Sequence, residues 1–545
     1  MTLTNFRATL LVSAASLALS ACGGANDVAS PGNGGVVINN PPPVATPAPT
    51  PTPTPASLIT PAGGCPTIAD PQGLTDAGTI TGPTGTWRVC SLPRTIRASS
   101  TLPKVAGLLY QIPARVDVGC DGGFSRPAAG APFTSTTANC TTPLTNDTNV
   151  VLTIEAGVTV FGGSGASWLA VNRGNKINAV GTATRPIVFT SRDNVLGLNS
   201  EASSGQWGGV VLMGRAPITD CSIGSLASNN CERETEGATD PARYGGTDSA
   251  YNAGQISYAQ FRYSGFILSG NNELQSLTTE GVGTGTIMDH IQSYNSSDDS
   301  IEFFGGSPRM KYFVSVGAED DHLDTDVGAK ARFQHVVAIQ RPGVGDAMIE
   351  ADSDNSADEN IPRQNTMLAN FTFNYRSIDG NSDGAAMLLR GKTDYTMLNG
   401  VVSSKPNECL RISTTDTATR AANPALDEAG PPVFRSVNLE CKPGAPYLAG
   451  TGVTVAQVAA AFGSGTNGNL DSFVSSLVNL YINGANETAR PAVDPKTFDP
   501  FFDTTTYVGA VQNAANDWTV GWTCNSGTAS FGTSTSGQCA SLPTY

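Results

Sequence analysis

Carboxylates crowd one stretch of this chain in a spaced order. Asp298, Asp299 and Glu302 are followed by Asp320, Asp321, Asp324 and Asp326, and then by Asp346, Glu350, Asp352 and Asp354. Oxygen-only ligands suit a hard cation, so Asp298, Asp299, Glu302, Asp320, Asp321, Asp324, Asp326 and Glu350 are candidate Ca2+ ligands. Paired carboxylates also serve as acid and base in glycoside hydrolysis, which makes Asp299, Asp321 and Asp324 the candidate catalytic residues. A solvated face of Asx turns would carry the same residues without chemistry. A second candidate is Asp379-Gly380-Asn381-Ser382-Asp383-Gly384, the opening of a DxDxDG calcium loop. Its Asp379, Asn381 and Asp383 could ligate Ca2+, but the twelfth position holds Arg390 where a bidentate Glu belongs. A plain turn explains the hexad equally well.

Other chemistries find little support. The three histidines, His290, His322 and His335, form no HExxH, and the chain has no GxSxG, no CxxC, no GxxxxGK[ST] and no strand–GxGxxG–helix unit. With 31 Lys and Arg against 46 Asp and Glu, the net charge is −15, which disfavours a nucleic-acid partner.

The acidic residues recur with a period. Ser297–Phe303 is echoed by Glu319–Thr325 after 22 residues and by Gly345–Ala351 after a further 26. Leu277 precedes Ile301 by 24 residues, and Leu389-Arg390 precedes Leu410-Arg411 by 21. Short β-branched and aromatic runs lie between Gly, Asn, Asp and Ser, with no long 3.6-residue pattern. Units of this length with three short strands describe the coils of a right-handed parallel β-helix, each burying its apolar side on its neighbours. Ile301, Leu323 and Ile349 then point inward, and Glu302, Asp324 and Glu350 form an outer column. Coils stand about 4.8 Å apart, so these carboxylates raise one another's pKa or hold a cation or an Arg. Arg390 and Arg411 are expected at the equivalent place in later coils. Phe303, Phe304, Phe313, Phe371 and Phe373 read as stacked core, and Trp518 and Trp522 as a closure of the rod's end.

The N-terminus points outside the cytoplasm. Arg7 precedes an apolar run and then Leu19-Ser20-Ala21-Cys22, a signal peptide (1–21) whose end is similar to the lipobox of bacterial lipoproteins. That similarity implies acylation at Cys22 and, with Gly23 following, an outer-membrane address. Residues 22–64 carry a Pro/Thr-rich tether in polyproline II. Ten further cysteines suit an oxidising compartment. Nearest-neighbour pairing joins Cys65–Cys90, Cys120–Cys140, Cys221–Cys231, Cys409–Cys441 and Cys524–Cys539, although spacing alone leaves the connectivity open. The expected order is a Cys-containing cap over 65–149, the β-helix over 150–442 and a C-terminal cap over 443–545.

Gln206-Trp207-Gly208-Gly209-Val210-Val211-Leu212 with Ala216-Pro217-Ile218, the segments Ser296–Gly306 and Gly317–Thr325, and the tail Tyr507–Val511, Asp517-Trp518-Thr519 and Gly521-Trp522-Thr523 carry a family resemblance. They resemble bacterial, α-proteobacterial surface lipoproteins with a pectate-lyase-like β-helix, some of them exported by type II secretion. The resemblance implies an all-β rod anchored to the cell outer membrane or released, with the secretion machinery as a partner. It also implies an accessory role for another secreted enzyme or in nutrient acquisition, phosphate included. Lyases and polygalacturonases of this fold use Ca2+ with a basic residue, or several Asp. Here the Gly-His-Gly and Arg-Ile-Lys segments of the polygalacturonases are missing; Arg411-Ile412-Ser413 lacks the Lys. The expected function is a non-catalytic binding module for a polysaccharide, a surface protein or Ca2+. A carbohydrate-active lyase or hydrolase is the alternative.

Overall fold

The computed structural model describes residues 59–545, apart from 270–271, 327, 354–358 and 377–383. Its strands stack in parallel along two long sheets, as a β-helix requires. One sheet runs through Thr95–Ile96, Arg115–Val118, Trp168–Val171, Val210–Met213, Leu277–Glu280, Ile301–Phe304, Asp324–Asp326, Ile349–Ala351, Ala385–Leu389, Glu408–Ile412 and Tyr447–Ala449. Its inward residues form a continuous apolar column, because each coil places the same position over its predecessor. Leu169 pairs with Val210, Val210 with Leu277, Leu277 with Ile301, Ile349 with Met387 and Met387 with Leu410. These residues and Leu323 are buried in one core. The expected register holds at 301/323/349, since Glu302 pairs with Asp324 and Asp324 with Glu350. It slips by two in the later coils: Leu388, not Arg390, pairs with Arg411.

The opposite wall changes along the rod. Early coils carry two short strands there, such as Lys176–Val180 and Ile187–Ser191. Gly254–Arg262 pairs with both and fuses them into one long bent strand. The bend is a left-handed residue, Tyr258, and the same conformation recurs at His290, Tyr312, His335, Asn370 and Asn399 in the coils that follow. The ladder skips each of these positions, so the bend is inherited from coil to coil. Four of the side chains stack: Tyr258 on His290 at 4.1 Å, His290 on Tyr312 at 4.5 Å and Tyr312 on His335 at 4.7 Å between ring centroids.

Parallel pairing begins at Gly85–Ser91, well before residue 150, so much of the segment expected to be a separate cap already belongs to the coils. The irregular part, 119–149, is an insertion between Arg115–Val118 and Val151–Ile154. The C-terminal region is also more than a cap. Helix Val455–Phe462 packs Phe462 on Phe434 and Tyr447 at the last coil. The chain then returns along the outer side of the long strands. Asn399 donates to Val493 O, Asn370 to Tyr507 O, Gln260 to Trp522 O, and Arg262 to Cys539 O and Ser541 O. Tyr545 finally donates to Pro186 O. Trp522 and Trp518 therefore do not close the rod's end. They meet the stacked Tyr/His rings edge-on, Trp522 at 5.6 Å from His290 and Trp518 at 5.3 Å from Tyr312. Outward residues Val314, Val316, Val337 and Ile339 are fully covered by this strap and form a second core with Tyr481, Val511 and Phe531. Phe303, Phe313, Phe371 and Phe373 lie in the main core, whereas Phe304 faces out and packs under the 214–250 insertion. All five nearest-neighbour disulfides are present.

Candidate acidic cation site

Alternation along each short strand sends every second side chain outward. On the first long sheet this puts Thr278, Glu302, Asp324 and Glu350 in one column, and Glu280, Phe304 and Asp326 in the next. Over the early coils the outward residues Trp168, Val211 and Met213 are roofed by Ile218, Tyr244 and Leu274. The roof stops at Phe304, and an open trough of about 300 Å3 begins. Ten carboxylates, Gln275 and Arg390 line it: Glu236, Glu273, Asp298, Asp299, Glu302, Asp320, Asp321, Asp324, Asp326 and Glu350.

Two triplets can each converge on a cation. Asp298, Asp299 and Asp320 bring one oxygen apiece within 4.8 Å of one another, and so do Asp299, Glu302 and Asp324. Asp299 belongs to both. Burial, and then the charge of Asp298, holds Asp299 well above the ordinary carboxylate range. Glu302 and Asp324 are raised by burial first and next by Asp324 and Glu350 respectively. Burial and Asp320 push Asp298 up to about 7. Burial also pushes Asp320 up, to about 6, with Asp346 next. Asp320 sits exposed at the rim, so solvent screens it more than Asp299. Asp324 Oδ1 is buried with no hydrogen-bond partner among the described residues. Hard oxygen donors, mutual repulsion and an orphaned buried oxygen fit a Ca2+-type ion. Beneath the trough Glu280 is fully buried, accepts from Thr235 Oγ1 at 2.7 Å, and is pushed up to about 8 by burial, which keeps it protonated at neutral pH.

Two of the sequence-predicted residues also do structural work. Asp299 Oδ1 accepts the Asp321 N–H at 2.8 Å, and Asp321 Oδ1 accepts the Ala347 N–H at 2.6 Å. An aspartate ladder thus ties three successive turns. Asp321→Asn keeps an accepting oxygen and is expected to leave stability nearly unchanged. Asp321→Ala strands the Ala347 N–H and costs about 1–3 kcal/mol, read as a shift of the urea midpoint. Arg390 does not continue the column; it reaches back to Glu350 at 2.5 Å and Asp352 at 2.9 Å. Asp326 lines the trough but belongs to neither triplet. Asp379, Asn381, Asp383, Asp354 and Cys22 lie outside the described residues.

Sequence reasoning missed Glu236 and Glu273, which come from the 214–250 insertion and the hairpin Ile267–Ser269/Asn272–Glu273. Neither shares the coil period, so no repeat marks them. The histidines are spoken for elsewhere. His322 lies inside the rod, hydrogen-bonded through Nδ1 to Ser315 Oγ, which also bonds Ser300 Oγ; burial pushes its pKa down to about 3. This serine–histidine contact has no access to solvent.

The chain is a parallel β-helix with an open, carboxylate-lined trough on one face. Residues 134–523 match the family described as the pectate-lyase like beta helix domain, and the chain belongs to that family. No curated protein and no solved structure matches it. The family supports a carbohydrate-related or binding role.

Proposed function

We propose that the protein is an exported, lipid-anchored surface module that binds Ca2+ in the acidic trough and, through it, an anionic polysaccharide, without cleaving it. The observation that carries this reading is the pair of carboxylate triplets sharing Asp299 beside the orphaned Asp324 Oδ1. A bound cation would relieve their repulsion and present open coordination positions to sugar carboxylates. Binding is favoured over cleavage because Arg390, the cation lining the trough, is engaged by Glu350 and Asp352 and is not poised as a base. Export and acylation at Cys22 accord with five disulfides, which belong to an oxidising compartment.

Calorimetry with Ca2+, followed by retention on a polygalacturonate matrix with and without chelator, tests the reading. Micromolar Ca2+ binding and chelator-sensitive retention are expected. Absence of Ca2+ binding overturns the metal site, and release of new reducing or unsaturated ends overturns the non-catalytic role. Loss of labelled fatty-acid incorporation in Cys22→Ala would support the anchor; unchanged incorporation would refute it.

A further inference from the structure

A second cavity, of about 480 Å3, opens between the 119–149 insertion and the 214–250 insertion, at the start of Lys176–Val180. That volume falls within the roughly 300–1,000 Å3 of small-molecule sites. Its charge is opposite in character to the trough. Arg126, Lys176 and Arg215 line it, against Asp147 and Asp248, in a chain whose net charge is −15.

The floor is rigidly built. Arg215 forks onto Asp147 with contacts of 2.6 and 2.9 Å and donates its Nε to Gly123 O at 2.7 Å, and both charged side chains are buried. Gly174 lies at φ +85°, and a Cβ there would stand 2.4 Å from Asp147 Oδ1. Its N–H donates to the Tyr251 hydroxyl at 2.7 Å, so the buried Tyr251 retains its own proton to give.

The cations at the mouth are differently committed. Arg126 touches Asp147 through Nε at 3.1 Å and is otherwise exposed. Lys176 is exposed and makes no ion pair among the described residues. Phe124 adds an apolar flank, and Thr247 and Asn252 add polar groups.

We propose that this cavity binds a small sugar anion: a hydroxylated body carrying one carboxylate or phosphate. The anion would meet Lys176 and the outer Arg126 nitrogens, and the body would lie against Phe124 and the Tyr251 hydroxyl. A buried, satisfied Arg215–Asp147 pair shapes the floor, while the unpaired Lys176 supplies the attraction. This site is separate from the acidic trough and does not depend on its reading.

Calorimetry of the full chain with glucuronate, glucose 6-phosphate, inorganic phosphate and glucose tests it. Binding of either sugar anion, at least about tenfold tighter than glucose, is expected; Lys176→Ala should weaken it about tenfold and Lys176→Glu further, with unchanged melting temperatures. Comparing the first two probes distinguishes carboxylate from phosphate. Equal binding of glucose removes the anion from the proposal, and binding of inorganic phosphate alone removes the sugar. Failure of both sugar anions to bind overturns it. Asp298→Asn in the trough is the control and should leave this affinity unchanged.

Discussion

Adding Ca2+ at about pH 8 is expected to raise the melting temperature of the protein by roughly 3–5 °C, and at about pH 5 the rise should vanish. The sign follows from the trough. Asp298 goes from 3.8 to about 7, Asp299, Glu302 and Asp324 are raised as well, and beneath the trough the buried Glu280 goes from 4.5 to about 8. A carboxyl raised in the fold contributes its stability in full below its unfolded pKa and loses it as pH climbs through the folded value. The cation-free protein is therefore expected to weaken between about pH 4 and about pH 8. Under the proposed reading, Ca2+ should offset that loss where the carboxylates are ionised and should find nothing to bind where they are protonated. His322 acts on the acid side: its pKa is lowered from 6.5 to about 3, so stability present above 6.5 is lost as pH falls.

Asp299→Asn sharpens the test. Its amide oxygen can still accept the Asp321 N–H, so the ladder survives, while the charge shared by both triplets is gone. At about pH 8 without cation the variant should melt higher than the parent, and Ca2+ should no longer shift it. A variant that melts lower and still responds to Ca2+ would show that Asp299 serves the turn alone. Melting curves with Ca2+ and with chelator at both pH values decide the matter.

The second large effect concerns the strap. Trp522→Ala is expected to cost about 3–5 kcal/mol, seen as a lower denaturation midpoint. Trp522 is 1% exposed, stands edge-on to His290 and Tyr258, and donates its indole N–H to Trp518 O at 2.8 Å. Its own carbonyl accepts from the buried Gln260 amide. Removing the indole opens a cavity between strap and wall, so limited proteolysis should release C-terminal fragments from the variant before the coils are cut. Trp518→Ala should cost less, because Trp518 is only half-buried. Equal and small losses for both would mean that the strap contributes little to holding the wall.

The repeat made much of the fold legible. Leu277, Ile301, Leu323 and Ile349 recur at intervals close to one coil, and a parallel stack with those residues inside is the arrangement that buries all of them. The outer column of Glu302, Asp324 and Glu350 follows from the same register, because neighbouring residues of a strand point to opposite faces. The later register was harder to read: Leu389-Arg390 resembles Leu410-Arg411, but Met387 carries the inward position. Met and Leu fill one pocket equally well, so apolar type alone does not choose between them.

By itself, then, the sequence determined the coil, its period and the row of carboxylates that the period lines up, since these depend on contacts between residues about one turn apart. Tertiary structure decided what closes around them. Glu236 and Glu273 join the trough from insertions that obey no period. The tail lies along the wall because Val314, Val316, Val337 and Ile339 face outward and need covering, a demand that the alternation of a single strand leaves without an address. The Tyr258–His290–Tyr312–His335 stack arises from one left-handed bend repeated by stacking. Periodicity encodes neighbours within the stack, whereas the partners of insertions and tails are set by whichever apolar and polar surfaces the finished stack leaves exposed.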